Sequence, residues 1–369
     1  MKICITTDAW HPQINGVVTT LSHTVATLRA WGHEVLLITP DQFKTLACPT
    51  YPGIRLSMVT PAAIGKRLRE FRPQSVHIAT EGPLGWTARA ACRKLGLAFT
   101  TSYHTRFPEY VRMRAPVPLG LSYALIRGFH RAASRTMAAP TILDELAAKE
   151  FTHLVPWSRG VDTTVFRPTP DLKTASANGP VFVAVGRVAP EKNLPAFLDL
   201  DLPGEKWVIG DGPALNSLKQ AYPAVRFTGA QQGEDLVRLL AAADVMVFPS
   251  LTDTFGVVLL EAMACGVPVA AFPVTGPQFI VREGVNGCLD TNLRAAALRA
   301  LQVSRSDCRD FAGSYSWAAC TRQFLNNLVI NEHASKTEAG GLPIRSGRKH
   351  RQWRWLPPDT QHTCPQPGC

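Results

Sequence analysis

The sequence predicts an α/β protein built from two doubly wound domains that face each other across a cleft. Three observations carry this. Short, nearly uninterrupted apolar runs alternate with helical stretches, as expected of parallel strands covered by helices on both faces. That series breaks at a turn-rich stretch, F-R-P-T-P-D-L-K-T-A-S-A-N-G-P (166–180), and then starts again. The chain's 369 residues are enough for two cored domains.

Taken in order, K-I-C-I-T-T is the first strand, and V-V-T-T-L-S-H-T-V-A-T-L-R-A-W is a helix closed by Gly32. H-E-V-L-L-I-T-P, S-V-H-I-A-T and L-A-F-T-T-S-Y-H follow as further strands of a first domain over residues 1–166. A linker (167–179) leads to P-V-F-V-A-V-G, K-W-V-I-G-D-G, A-V-R-F-T-G, V-M-V-F-P-S and V-P-V-A-A-F-P, the strands of a second domain over 180–315. A last helix occupies 316–330. The remainder, 331–369, is rich in Gly, Pro and basic residues without helical or strand period, and reads as a disordered tail. Doubly wound domains bind ligands at the carboxyl ends of their strands, so a shared ligand belongs in the cleft.

Composition narrows the function classes. With 46% hydrophobic and 18% charged residues the chain resembles an ordinary soluble protein. No apolar run reaches the length of a bilayer span, and the N-terminal run meets Asp8 too early for a signal peptide. The nine cysteines are scattered with no C-x-x-C pair, which points to reduced thiols in the cytoplasm and not to a zinc site. Of the net charge of +11, a surplus of nine lies within residues 1–165. That asymmetry fits an acidic partner for the first domain or an arginine-rich solvated surface. A nucleic-acid partner is not expected.

The chemistry gathers at strand-to-helix loops. In S-L-T-D-T-F-G-V-V-L-L-E-A-M-A-C-G, Asp253 precedes a helix that starts near Thr254, Phe255 and Gly256, and Glu261 lies eight residues further on. At 1.5 Å rise per residue the acids stand up to about 12 Å apart, too far to share a proton or a metal but suited to two ends of one extended ligand. Taken alone, they also fit a helix cap and a surface ion pair. Arg187 and Lys192 in A-V-G-R-V-A-P-E-K-N-L put two cations on one loop, as a diphosphate requires. I-G-D-G-P follows the next strand but lacks the spacing of a dinucleotide fingerprint. Gly16 opens a helix in the first domain, and His104 and Arg106 in T-S-Y-H-T-R-F-P-E-Y reach the cleft edge.

These motifs, in this order, resemble glycosyltransferase family 4, retaining enzymes of the two-domain GT-B fold. The likeness covers residues 1 to about 330 and includes W-S-R-G-V-D-T-T-V-F-R-P (157–168). It implies a nucleotide diphosphate sugar as co-substrate, with GDP-mannose or a UDP-sugar as donor. Arg187 and Lys192 would neutralise the diphosphate, and Gly16 would let the first domain's loop touch it. Asp253, with the N–H groups of Phe255 and Gly256, would hold the sugar hydroxyls. Glu261 would hold the ribose, and His104 would face the sugar from the acceptor side. Asp253 stands where the family usually has Glu, as in a subset of mannosyltransferases and glycolipid synthases. A nucleotide-sugar 2-epimerase of the same fold is the alternative from another class.

Two stretches need separate readings. Asp199-Leu200-Asp201 matches the D-x-D of metal-dependent transferases, but it sits between a helix and a strand, away from the cationic loop, so neither metal nor other cofactor is expected. V-R-M-R-A-P-V-P-L-G-L-S-Y-A-L-I-R-G-F-H-R-A-A-S-R (111–135) mixes Leu119, Leu121, Leu125, Ile126 and Phe129 with Arg112, Arg114, Arg127, Arg131 and Arg135. Such a segment can lie on an anionic membrane or be a core helix with a basic outer face. With the resemblance, it raises the expectation of a lipid acceptor, with Arg106, Arg127 and Arg131 on the acceptor side and attachment to the inner face of the cell membrane. A soluble sugar acceptor is the alternative.

Overall fold

Two six-stranded parallel sheets organise the computed structural model, which describes residues 1–13, 15–48, 51–169 and 179–331. Most of the linker, 170–178, and the tail 332–369 lie outside the described residues. The first domain contributes β1 (Lys2–Thr6), β2 (Glu34–Ile38), β3 (Thr45–Cys48), β4 (Tyr51–Ser57), β5 (Ser75–Ile78), β6 (Thr100–Tyr103), β7 (Arg135–Ala138) and β8 (Leu154–Pro156). The second contributes β9 (Val181–Val185), β10 (Glu205–Ile209), β11 (Arg226–Gly229), β12 (Val245–Phe248), β13 (Val269–Ala271) and β14 (Gly287–Leu289). The sheet orders are β2-β1-β5-β6-β7-β8 and β11-β10-β9-β12-β13-β14, with β3 and β4 forming a separate antiparallel hairpin. Each sheet thus reverses its direction of growth once, between β1 and β5 in the first and between β9 and β12 in the second.

Local chemistry starts and stops the helices that flank these strands. The Asn15 side chain accepts hydrogen bonds from the N–H groups of Val17 and Val18, both 3.0 Å, and starts the helix Gly16–Ala30. Of its buried stripe, Leu21, Val25 and Leu28 pack with Ile3 and Ile5 of β1. The last described helix, Trp317–Asn327, crosses back to this same cluster through Trp317, Cys320 and Phe324. There the Trp317 ring stacks on His23 at 4.4 Å. The crossing is secured at its end, where Asn331 exchanges hydrogen bonds with both backbone groups of Ala98 (2.8 and 3.0 Å). The chain is therefore still anchored to the first domain at Asn331, where composition alone placed the start of the tail.

Segment 111–135 is not one surface helix. It splits into the end of the helix Phe107–Arg114, the helix Leu119–His130 and the start of β7. Ile126 and Phe129 point into the core, while Leu119, Leu121 and Leu125 are exposed. Hydrophobicity alone does not distinguish these positions, but the helical period does: Ser122, Tyr123, Ile126, Phe129 and His130 form the buried face.

A buried histidine marks the first domain's core. His77 on β5 bonds the hydroxyls of Thr100 and Ser102, both 2.9 Å, and lies edge-on to the rings of Trp157 and Phe324. Burial lowers its pKa to about 3, so it stays neutral in the fold while the unfolded chain takes up a proton below about pH 6.5. Its contribution to stability is complete above that pH and fades as the pH falls towards 3. Urea titrations should show the unfolding free energy dropping with acid, with His77 supplying up to about 1.4 kcal/mol per pH unit. His77→Asn should flatten the profile by that amount, and an unchanged slope would refute this.

Candidate functional site

The crevice at the carboxyl ends of β9 and β12 is where an open sheet of this order binds ligands. Gly186, Arg187 and Lys192 line it from the β9 side, Pro249 and Ser250 from the β12 side. Gly186 and Val188 donate backbone hydrogen bonds to Ile209 (3.0 Å) and Asp211 (2.9 Å), which fixes the Arg187 loop against the end of β10. The contact is so close that a Cβ at Gly210 would fall 1.8 Å from the Gly186 carbonyl oxygen, and one at Gly212 2.4 Å from that of Val188. The glycines of I-G-D-G-P thus allow two loops to pack, which explains why they need no fingerprint spacing.

Lys192 closes a short turn, Pro190–Lys192, and its Nζ donates to both carboxylate oxygens of Asp253, at 2.7 and 2.8 Å. Burial works against the ammonium, but the Asp253 carboxylate, with Tyr110 and Glu191, outweighs it and raises the Lys192 pKa. Asp253 is not a helix cap. The helix Val257–Ala264 starts from Gly256, at φ 85°, with no side-chain cap, so the dipole end faces the crevice unscreened by a side chain. Further along this helix, Glu261 is partly buried, and no ion pair or side-chain hydrogen bond holds it among the described residues. Burial pushes its carboxyl up to about 7.

The first domain closes over this loop. Thr254 Oγ1 donates to the His104 carbonyl at 2.8 Å, and the Thr141 hydroxyl donates to the Thr254 carbonyl. Tyr110 hydrogen-bonds Thr252 and faces the Lys192–Asp253 pair. A Cβ at Gly16 would meet Val257 Cγ2 at 3.7 Å, so the helix start at Gly16 abuts the first turn of the Glu261 helix. Phe255 is buried in the core shared by the two domains. Two cations at the crevice, an acid paired with one of them and a second acid whose pKa is raised to about 7 thus come from neighbouring loops and one helix.

Residues 179–303 match the family model described as Glycosyl transferases group 1, and residues 14–165 that described as Glycosyltransferase Family 4. The GDP-mannose-dependent alpha-mannosyltransferase of Mycobacterium tuberculosis is 31% identical over 315 residues, covering 78% of this chain and 83% of its own. The chain belongs to glycosyltransferase family 4. The alpha-monoglucosyldiacylglycerol synthase of Streptococcus pneumoniae is 25% identical over 348 residues, 82% of this chain and 78% of its own. In overall fold the enzyme is similar to Anabaena HepE, whose crystal structure contains UDP and glucose (TM-score 0.67, 18% identity, 88% of this chain and 98% of that one). The two facing Rossmann-like domains are those of GT-B glycosyltransferases.

In this family 4 glycosyltransferase two of the arginines expected on the acceptor side, Arg106 and Arg127, make contacts within the chain. Arg106 is held by Glu145 (3.1 and 2.5 Å) and reaches Thr275 of the second domain at 3.0 Å, which makes it a strut between domains. Arg127 donates to the Lys149 carbonyl and pairs with Glu150 at 2.9 Å, and Arg135 donates to the Asn326 carbonyl. The side chain of Arg114 lies outside the description; Arg112 and Arg131 are exposed. Asp199 and Asp201 precede β10, at the sheet edge opposite the crevice, where Asp199 accepts from the Tyr222 hydroxyl. Residues with no role assigned from sequence also meet here: Tyr110, Thr141, Thr275 and Arg159. Tyr110 ends the motif T-S-Y-H-T-R-F-P-E-Y and Arg159 lies within W-S-R-G-V-D, but neither pattern gave a hint of their contacts.

Glu261 is the costliest residue of the site. Its folded pKa of about 7 lies above the ordinary carboxylate value, so the fold bears a penalty that is complete above pH 7 and absent well below 4.5. Glu261→Gln should therefore stabilise the enzyme at pH 8 by roughly 1–3 kcal/mol in urea unfolding, with the gain vanishing near pH 4.5. A loss of stability at pH 8 would contradict the unpartnered carboxylate.

Proposed function

We propose that this glycosyltransferase moves a hexose, with retention, from a nucleotide diphosphate sugar, GDP-mannose being the favoured donor, to a neutral hydroxyl of a membrane lipid. The observation that carries the donor half is the presence of Arg187 and Lys192 at the β9–β12 crevice beside Asp253, with Glu261 on the helix that follows held by no ion pair or side-chain hydrogen bond among the described residues. The similarity to a GDP-mannose-dependent enzyme supports the choice of donor.

In the proposed reaction the bond between the anomeric carbon and the diphosphate oxygen breaks, and its electrons go to the leaving nucleoside diphosphate. Arg187, Lys192 and the open helix start at Gly256 offset the charge that develops there, the kind of term that dominates such catalysis. The acceptor oxygen forms the new bond on the same face and passes its proton to the departing diphosphate. Glu261 accepts from the ribose hydroxyls and Asp253 from those of the sugar. No metal is required, because two fixed cations already meet the diphosphate.

The acceptor half rests on charge. At the first sheet's own reversal, between β1 and β5, the N-terminus of the helix Pro83–Leu95 is a natural anion site, but Asp8 fills it. Its carboxylate accepts from the N–H groups of Leu84 (2.8 Å) and Gly85 (3.0 Å) and from Thr80 Oγ1 (2.9 Å). A Cβ at Gly82 would lie 2.4 Å from that carboxylate carbon. An acceptor phosphate would be repelled there, and a neutral hydroxyl would not. On the same domain Leu121 and Leu125, one helical turn apart, are exposed, as are Met113, Leu119 and the cations Arg112 and Arg131, a composition suited to an anionic bilayer surface. Among the described residues no helix is long and apolar enough to cross a membrane. The similarity to a diacylglycerol glycoside synthase supports this reading.

Purified enzyme should release GDP from GDP-mannose only when a lipid hydroxyl acceptor is present; isomerised donor with no net GDP release would favour the epimerase class. Arg187→Ala and Lys192→Ala should each lower kcat by about 10²-fold or more, and EDTA should leave the rate unchanged. Donor affinity should rise with pH through about 7 as Glu261 ionises, and Glu261→Gln should abolish that dependence. Sedimentation with anionic liposomes should weaken in salt and in the Leu121→Asp/Leu125→Asp variant. Rapid transfer to a water-soluble acceptor without liposome binding would overturn the lipid reading.

A further inference from the structure

Arg159 is a buried cation without a carboxylate partner among the described residues: it is 5% exposed, and its guanidinium is spent on neutral groups. Nη1 donates to the carbonyls of Trp157 (2.7 Å) and Ser158 (2.9 Å), and Nη2 donates to His104 Nδ1 at 3.0 Å. The guanidinium carbon lies 5.0 Å from the Trp157 ring centroid and 6.0 Å from that of Phe255 in the donor loop. A guanidinium can only donate, so His104 Nδ1 must be the accepting, unprotonated nitrogen. The imidazole proton of a neutral His104 is then on Nε2, which is buried without a hydrogen-bond partner in a side chain only 7% exposed. Through its own carbonyl His104 is tied to Thr254, next to Asp253, so the residue with this unmatched N–H adjoins the proposed sugar site.

We infer that Arg159 is a positioning residue that fixes His104 as its neutral Nε2–H tautomer, a hydrogen-bond donor to an oxygen of the transferred sugar that cannot act as a base or nucleophile. The inference rests on the proposed transfer reaction for its consequence but not for its geometry. An unsatisfied buried N–H costs about 1–3 kcal/mol, which a sugar oxygen would recover on binding. Neutrality matters because glycosyl transfer builds positive charge at the anomeric carbon, and an imidazolium there would oppose it. The titratable and charged groups around His104 are Arg159, His77 and His130; burial first, and then these groups, keep its pKa well below the ordinary value. Arg159 lends its donor to Nδ1 while two carbonyls and an aromatic face hold its charge in place.

The test is the nitrogen NMR spectrum of enzyme labelled with ¹⁵N-histidine, with His104 assigned by its loss in His104→Asn. The wild type should show an unprotonated Nδ1 and a protonated Nε2, unchanged between pH 5 and 8. Arg159→Met should give a mixture of tautomers and a His104 that titrates; Arg159→Lys, which keeps a donor, should restore the Nε2–H form in part. In the transfer assay Arg159→Met should lower kcat with little change in donor KM, and the deficit should deepen about 10-fold per pH unit below the new His104 pKa. A protonated Nδ1 or a titrating His104 in the wild type overturns the inference, and so does an unchanged tautomer in a folded Arg159→Met. Should Arg159→Met fail to fold, the wild-type and Arg159→Lys spectra decide. If the spectra behave as expected but no sugar is transferred, the transfer reading fails and the tautomer assignment stands.

Discussion

The cleft depends on one contact, where the two passages of the chain between domains touch. Val161 donates its N–H to the Tyr315 carbonyl at 2.9 Å and bridges to Ser316. Next to it, a Cβ at Gly160 would lie 2.5 Å from the Trp317 nitrogen. Only a bare backbone lets the outgoing and returning strands lie this close. That junction sets the facing of the two sheets, and with it the span that Thr254 must cover to reach His104 and that Arg106 must cover to reach Thr275. Arg159 and Trp157 precede Gly160 directly, so the residue that orients the His104 ring is built into the joint itself.

The two sheets end in the same kind of crevice but treat charge in opposite ways. Helix starts attract anions in either domain. In the first domain Asn15 and Asp8 satisfy those N–H groups from within the chain. In the second, the helix start at Gly256 has no side-chain cap and two basic residues stand near it. The open helix start therefore lies in the second domain, although the overall charge surplus lies in the first. Net charge describes the outer surface of the first domain, and the cleft is governed by a few buried groups.

The strands and the reversal of each sheet were legible in the sequence because parallel strands buried on both faces leave uninterrupted apolar runs. β7, β8 and β14 were not, because R-T-M-A, L-V-P and G-C-L offer no such run, and the β3–β4 hairpin breaks the parallel pattern altogether. Site residues fixed by backbone geometry, such as Arg187 at a strand end or Gly256 at a helix start, could be placed from local spacing. Those fixed by tertiary pairing could not: nothing near Arg106 in sequence announces Glu145, and nothing near Arg159 announces His104. Which positions of the basic segment 111–135 are buried was hidden for the same reason, since Ile126 and Leu125 differ only in which way the helix turns them.

The Lys192–Asp253 pair ties these threads to selectivity. In the structure each neutralises the other in a largely buried setting. Separating such a pair and leaving either partner alone costs about 3–5 kcal/mol. On the proposed chemistry, a diphosphate draws Lys192 towards itself and leaves Asp253 without its partner. A bare nucleoside diphosphate offers Asp253 nothing in return. A nucleotide sugar supplies hydroxyls that donate to the carboxylate as the phosphates engage the ammonium, so both charges stay matched throughout. Recognition of the sugar and of the diphosphate are then a single event, and the ion pair itself favours the complete donor over the product that must leave.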